Sequence, residues 1–257
     1  MLLAIDVSNT GIKLGIFAGR EMRARWRIAT VREKTADEYA MLLTSLCQSQ
    51  GIALSDITAV IASSVVPPLT PMIQQMAEHY LGQSAIIVNH ESPLGVRLLV
   101  ENPWEIGTDR LLSVLAAREI YSVPAIIIQF GTATSFDVAS PEGDFLGGVI
   151  APGLGISAEA LSRAASRLYQ VEWTAPATVM GKNTSHTMQS GIVYGHAAMV
   201  EGIVARLRHE MPGGDRAVVI AHGGLADVVA SATQVIDLRA PYLLLEGLQR
   251  AYERLSE

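Results

Sequence analysis

Only one cysteine, Cys47, occurs in the chain, so an internal disulfide framework and a cysteine-based zinc site are both excluded within one chain. Aromatic residues are scarce as well, at 5% against 49% hydrophobic residues overall. The core must therefore be aliphatic, which suits buried strands covered by helices better than a small aromatic-rich β domain. No apolar run reaches the roughly 18 residues of a membrane span. The apolar start Met1–Ile5 is broken at once by Asp6 and has no basic flank, so it does not read as a signal peptide. Dense runs of lysine and arginine are missing too, and the formal net charge is −6. General nucleic-acid binding would call for a basic face. What remains is an expected cytoplasmic protein with neither membrane nor nucleic-acid partners.

A length of 257 residues allows one large domain or two of roughly 100–150 residues. The chain opens as a strand meander: Leu2–Asp6, a turn at Ser8-Asn9-Thr10-Gly11, Lys13–Phe17, a turn at Ala18–Gly19, and Glu21–Ala29. Thr35 and Glu38 have capping-box spacing, and Tyr39, Leu42, Leu43 and Leu46 form an apolar stripe, which predicts a helix. Ile57–Ala62 reads as a buried strand and Pro67–Pro68 as a helix start. The second half repeats the opening. Ala125–Gln129, the turn Gly131-Thr132-Ala133-Thr134, Ser135–Ala139 and Phe145–Ile150 again alternate strand and turn. Helices are expected at Thr108–Tyr121, Ser157–Tyr169, Thr184–Met211 and Pro241–Leu255. The organisation predicts two similar α/β domains, 1–115 and 116–257, with a ligand cleft between them.

Small-residue turns after apolar strands carry the candidate chemistry. A strand that delivers Asp6 into a tight polar turn can hold magnesium-bound water while turn N–H groups meet phosphate. Lys13 can reach the same phosphates as a point charge. The same residues also suit an ordinary hairpin in which Asp6 accepts turn N–H bonds. No Gly-Lys-Ser/Thr follows, which excludes a Walker A loop, and a strand after the turn excludes a dinucleotide fingerprint. Gly131–Thr134 offers close backbone approach and two hydroxyls. Ala151–Gly155 precedes a helix for which Ser157 is a candidate cap, and His222-Gly223-Gly224-Leu225 is a further such turn. Asp109 and Arg110 head an apolar helix. Asp109 there is either a helix-dipole partner or a general base, with Arg110 gripping an anionic substrate group. Asp137 is a further candidate beside a cation or nucleotide. The six histidines have no metal-ligand spacing, and the run Arg20–Arg27 reads as a solvated strand edge.

Taken in order, Met1–Phe17, Thr35–Tyr39, Ser63–Pro68, Asn102–Arg110, Phe130–Asp137, Gly147–Leu154, Gly181–Gly191 and Gly223–Ala226 resemble type III pantothenate kinases over nearly the whole chain. The resemblance implies two ribonuclease-H-like domains of the actin/Hsp70/sugar-kinase type, in a homodimer. It also implies transfer of the ATP γ-phosphate to pantothenate, the first step of coenzyme A synthesis, with Mg2+ and with K+ or NH4+ as an activating cation. Carried over, Asp6, Asn9, Thr10 and Lys13 fall in the phosphate-binding turn, with Asp6 beside Mg2+, and Thr132 and Thr134 fall in a second one. Asp109 matches the general base, and Gly107 and Arg110 match pantothenate contacts. Thr184 matches a threonine that reaches the substrate held by the partner subunit.

The chain departs from the family pattern at several of these positions. Ser8 replaces a glycine, Gly11 stands where a polar residue is common, and Val100 replaces a tyrosine that packs on pantothenate. Gln129 replaces the aspartate of the monovalent-cation site, and His222 replaces a threonine. Two functions are therefore open at this point: a working kinase, or a non-catalytic homologue that binds a nucleotide or related ligand as a regulator or scaffold.

Overall fold

The computed structural model describes residues 1–165 and 167–256. They form two compact units, each built on one five-stranded sheet. The first unit takes Met1–Val96, Glu101–Ala116 and the chain from Leu244 onward; the second takes Arg97–Val100 and Ala117–Leu243. Among the described residues no helix is long and apolar enough to cross a membrane.

In the first unit, strands β1 (Leu2–Val7), β2 (Gly11–Ala18), β3 (Glu21–Ala29), β4 (Ala59–Ser64) and β5 (Ala85–Ile87) lie in the order β3-β2-β1-β4-β5. The meander β1-β2-β3 is antiparallel, while β4 and β5 add in parallel on the other side of β1. β1 is buried along its whole length, which is why Leu-Leu-Ala-Ile runs apolar without alternation. Helix α1 (Ala36–Ser49) starts with the expected capping box: the Glu38 N–H donates to Thr35 Oγ1 at 3.3 Å, and the Thr35 N–H donates to Glu38 Oε2 at 2.9 Å. Helix α2 (Thr70–Met76) follows, and α3 (Thr108–Ile120) has its first nine residues in this unit. The C-terminal helix, Leu243–Leu255, buries Leu244, Leu245, Leu248 and Ala251 on one stripe. It lies close against α3, because a β-carbon on Gly247 would come within 2.6 Å of the Leu112 carbonyl oxygen.

In the second unit, β6 (Ala125–Phe130), β7 (Ala133–Ala139), β8 (Phe145–Pro152), β9 (Val218–His222) and β10 (Leu238–Arg239) lie in the order β10-β9-β6-β7-β8. Read from the other edge, this is the strand order of the first sheet, with an antiparallel meander and then two parallel additions. The repeat expected from the sequence is therefore a repeat of topology. Helices α4 (Leu154–Ala164), α5 (Thr184–Glu210) and α6 (Ala226–Ala230) belong to this unit; the C-terminal helix is α7.

Two expectations shift. A 3-10 turn, Leu54–Asp56, delays the strand expected at Ile57 to Ala59. The helix expected over Ser157–Tyr169 starts at Leu154 and ends at Ala164; that expected span includes Ser166, which lies outside the described residues. Gly153, not Ser157, is the cap, because the Gly153 N–H is tied to the Thr132 carbonyl at 3.1 Å and turns the chain early. Ser157 is already inside the helix, its N–H donating to the Gly153 carbonyl at 3.0 Å.

Candidate active site

The centre of the first unit's site is a row across the sheet. Register pairs Ser63 with Asp6, Asp6 with Lys13, and Lys13 with Arg27, and in-register neighbours project on the same face. Asp6 is 1% exposed. Its Oδ1 accepts from Ser63 Oγ at 3.1 Å, and its Oδ2 accepts from Ser8 Oγ at 3.5 Å and lies 3.7 Å from Lys13 Nζ. Burial raises the proton affinity of Asp6, and Lys13 with the hydroxyl donors offsets only part of that. The Ser8–Gly11 turn is closed by the Ser8 N–H donating to the Gly11 carbonyl at 3.0 Å, and it is pinned by Thr30 Oγ1 donating to the Ser8 carbonyl at 2.6 Å. Asn9 and Thr10 are exposed at its tip.

Asp109 stands at the head of α3, with Oδ1 accepting the Arg110 N–H at 3.0 Å. Its carboxyl is pushed above the ordinary range, first by burial and then by the negative charge of Asp6. Asp6, far away in sequence, thus bears on Asp109 within one unit. Gly107 makes the arrangement possible, since a β-carbon there would sit 2.5 Å from Asp109 Oδ1. Between them the hydroxyl of Thr108 is buried and without a hydrogen-bond partner among the described residues. A carboxylate with raised proton affinity is suited to take a proton from a hydroxyl group.

The remaining candidates lie in the second unit. Gln129, next to last in β6, is in register with Ser135 and His222. The two threonines of the next turn part company: Thr132 is exposed, whereas Thr134 is fully buried, its Oγ1 3.0 Å from His196 Nε2 on α5. The His196 ring also lies 6.1 Å from that of Phe130, tilted by 56°, and burial lowers its proton affinity. Asp137 is buried on β7. Val100 lies near β8, its Cγ1 4.0 Å from where a β-carbon of Gly147 would stand. Thr184 opens α5 just after Asn183, whose side chain caps the helix by accepting the His186 N–H at 2.9 Å. It helps to line a cavity of about 500 Å³ with Leu161, Lys182, Asn183, Thr187 and Gly191. His196, Thr108 and Arg27 are the residues that sequence patterns did not single out, because each is brought into place by register or packing.

The model of the family described as type III pantothenate kinase matches residues 2–206. A type III pantothenate kinase from Moorella thermoacetica is 46% identical over 254 residues, covering 99% of both chains. The chain belongs to the type III pantothenate kinase family. Members of this family phosphorylate pantothenate, the step that opens coenzyme A biosynthesis, so this chain is a phosphotransferase and, as a kinase, uses ATP. Solved structures carry the fold further afield. Component A of the (R)-2-hydroxyglutaryl-CoA dehydratase of Acidaminococcus fermentans aligns at TM-score 0.58 with 14% identity, covering 100% of this chain and 99% of that one. The ROK hexokinase of Thermus thermophilus aligns at 0.51 with 16% identity, covering 99% of each. The type III pantothenate kinase chain thus has the α/β fold of the actin, Hsp70 and sugar-kinase class.

Proposed function

We propose that the pantothenate kinase reaction of this chain is centred on Asp6 and Asp109, with Asp109 as the general base. The observation that carries this is the placement of Asp109 at the head of α3, its Oδ1 in space that only a glycine at 107 leaves open; burial first, and the Asp6 charge second, raise its proton affinity there. In the transfer, the primary hydroxyl oxygen of pantothenate bonds to the γ-phosphorus of ATP as the bond from that phosphorus to the β–γ bridging oxygen breaks. The hydroxyl proton passes to Asp109 and ADP leaves. Asn9, Thr10 and Lys13 hold the phosphates from the Ser8–Gly11 turn of the first unit; Thr132 is the exposed phosphate-binding hydroxyl of the second unit's own turn. Thr134 acts there by shaping the turn, since its own hydroxyl is engaged by His196.

Magnesium suits the site. Asp6 offers a carboxylate flanked by the Ser8 and Ser63 hydroxyls, a hard oxygen donor set that would hold the ion through its bound water. When bound, Mg2+ supplies neutralisation of phosphate charge. A monovalent cation finds a poorer ligand at Gln129 than the aspartate it replaces. Gln129, Ser135 and His222 share one row across the sheet, and that row contains no carboxylate.

Gly107 and Arg110 of the first unit contact pantothenate, Val100 offers an aliphatic contact from the second unit, and Thr184 reaches the substrate of the partner subunit in a homodimer. The enzyme works in the cytoplasm, without membrane or nucleic-acid partners. The test is phosphorylation of pantothenate by purified protein with ATP and magnesium, with and without K+ or NH4+, alongside Asp109→Asn. Product that disappears in the variant supports the assignment. A near-normal rate in a folded Asp109→Asn protein returns Asp109 to helix capping.

A further inference from the structure

Gly11 does not have the left-handed backbone that favours glycine, so its missing side chain serves space rather than conformation. The space is taken by Arg27. A β-carbon on Gly11 would lie 2.8 Å from Arg27 Nε and 3.3 Å from Nη2, which places the guanidinium against the end of the Ser8–Gly11 turn. Arg27 is also the cross-strand partner of Lys13, whose own partner is Asp6, so all three project from one face of the sheet.

The arginines around this hairpin differ in how they are used. Arg20 is paired with Glu253 and Arg23 with Glu21. Lys13 lies 3.7 Å from the Asp6 carboxylate. Arg27 is exposed, and among the described residues it makes neither an ion pair nor a side-chain hydrogen bond. A free planar guanidinium beside a turn of exposed donors suits bidentate contact with phosphate oxygens, which an ammonium reproduces only as a point charge.

We propose that Arg27 is a further phosphate-contacting residue of this kinase, admitted to the nucleotide turn by the absence of a side chain at Gly11. This rests on the assignment of that turn to ATP. Arg27 then supplies the charge-assisted contact to the ATP phosphates that Lys13, held partly by Asp6, supplies less fully.

The experiment compares Arg27→Gln, Arg27→Lys and the control Arg23→Gln in steady-state kinetics and in direct titration of each full-length protein with MgATP and with AMP. Arg27→Gln is expected to raise KM and Kd for ATP about tenfold, the scale of one lost charge-assisted hydrogen bond. KM for pantothenate and Kd for AMP are expected to hold, because neither ligand carries the β and γ phosphates. Arg27→Lys should recover part of the loss, and Arg23→Gln should match the unmodified enzyme. The proposal is overturned if Arg27→Gln leaves ATP binding unchanged in an otherwise active enzyme, or raises KM for pantothenate alone. An unmodified protein that binds no ATP overturns the turn's assignment and this proposal together. Should Arg27→Gln not fold, Arg27→Lys decides the matter: an ATP affinity equal to that of the unmodified protein counts against bidentate contact and a selective loss supports it.

Discussion

A β-carbon on Gly107 would sit 2.5 Å from Oδ1 of Asp109, so the glycine keeps open the place that the carboxylate occupies. Gly107→Ala must move either the backbone or Asp109, and an ångström of displacement at a reacting group lowers rates by about a hundredfold. The expected result is a loss of kcat on that scale with thermal stability little changed. A variant with unaltered kcat would show that Asp109 does not need this position.

Asp6 and Asp109 both have proton affinities raised by burial, and the sign of the consequence is fixed. A carboxyl whose folded value lies above its unfolded one binds protons in the folded state over that interval, so stability falls as pH rises through it and is lower above. Acidification from neutral pH into the range just above ordinary carboxylate values should therefore raise the contribution of this pair to stability. Removing one charge should do the same at neutral pH. Asp109→Asn is expected to unfold at an equal or higher temperature while turnover drops by about a hundredfold to ten-thousandfold, the span for loss of a general base. The activity of the unmodified enzyme should fall on the acid side with a midpoint above the usual carboxylate range. A destabilised Asp109→Asn protein would mean that helix capping, not charge repulsion, dominates at this position.

Some of this was open to inspection in the sequence because the causes are local. Thr35 and Glu38 form their box across one helical turn, and Asp6 with Ser8–Gly11 sits within a single hairpin. The doubled strand order follows from two similar runs of strands and turns. Other features come from contacts that no short window contains. Ser63 reaches Asp6 across strands 57 positions apart, and His196 reaches Thr134 from 62 positions away. The start of α4 is hidden for the same reason: Gly153 is fixed by the carbonyl of Thr132, and no feature of the helix itself reports that tie. Arg27 reads in sequence as one more charge on a solvated strand edge, and only register puts it beside Lys13.

The row Gln129–Ser135–His222 carries no carboxylate, and neutral amide and hydroxyl groups give little of the charge that holds a monovalent cation. Turnover by the unmodified enzyme should be indifferent to the exchange of Na+ for K+ or NH4+. Gln129→Asp should introduce a dependence of severalfold on K+ or NH4+. Stimulation of the unmodified enzyme by either ion would mean that carbonyl oxygens alone build the site.

Thr134 and His196 form a buried pair, 3.0 Å apart, that ties the second turn to α5. Burial disfavours the charged imidazole, so the ring shares a hydrogen bond with the hydroxyl as a neutral partner. His196→Leu leaves that hydroxyl buried without a partner, which costs about 1–3 kcal/mol. For a chain of this size each kcal/mol is worth roughly 2–4 °C in Tm. The turn carried by Thr134 also presents Thr132, so the same variant should raise KM for ATP more than it lowers kcat. His196→Gln can offer both a donor and an acceptor to the hydroxyl and should recover part of each loss. If His196→Leu and His196→Gln lose stability equally and leave KM for ATP alone, the histidine fills space in the core and the turn is held by its backbone bonds, Gly131 N–H to the Ala133 carbonyl and Gly153 N–H to the Thr132 carbonyl.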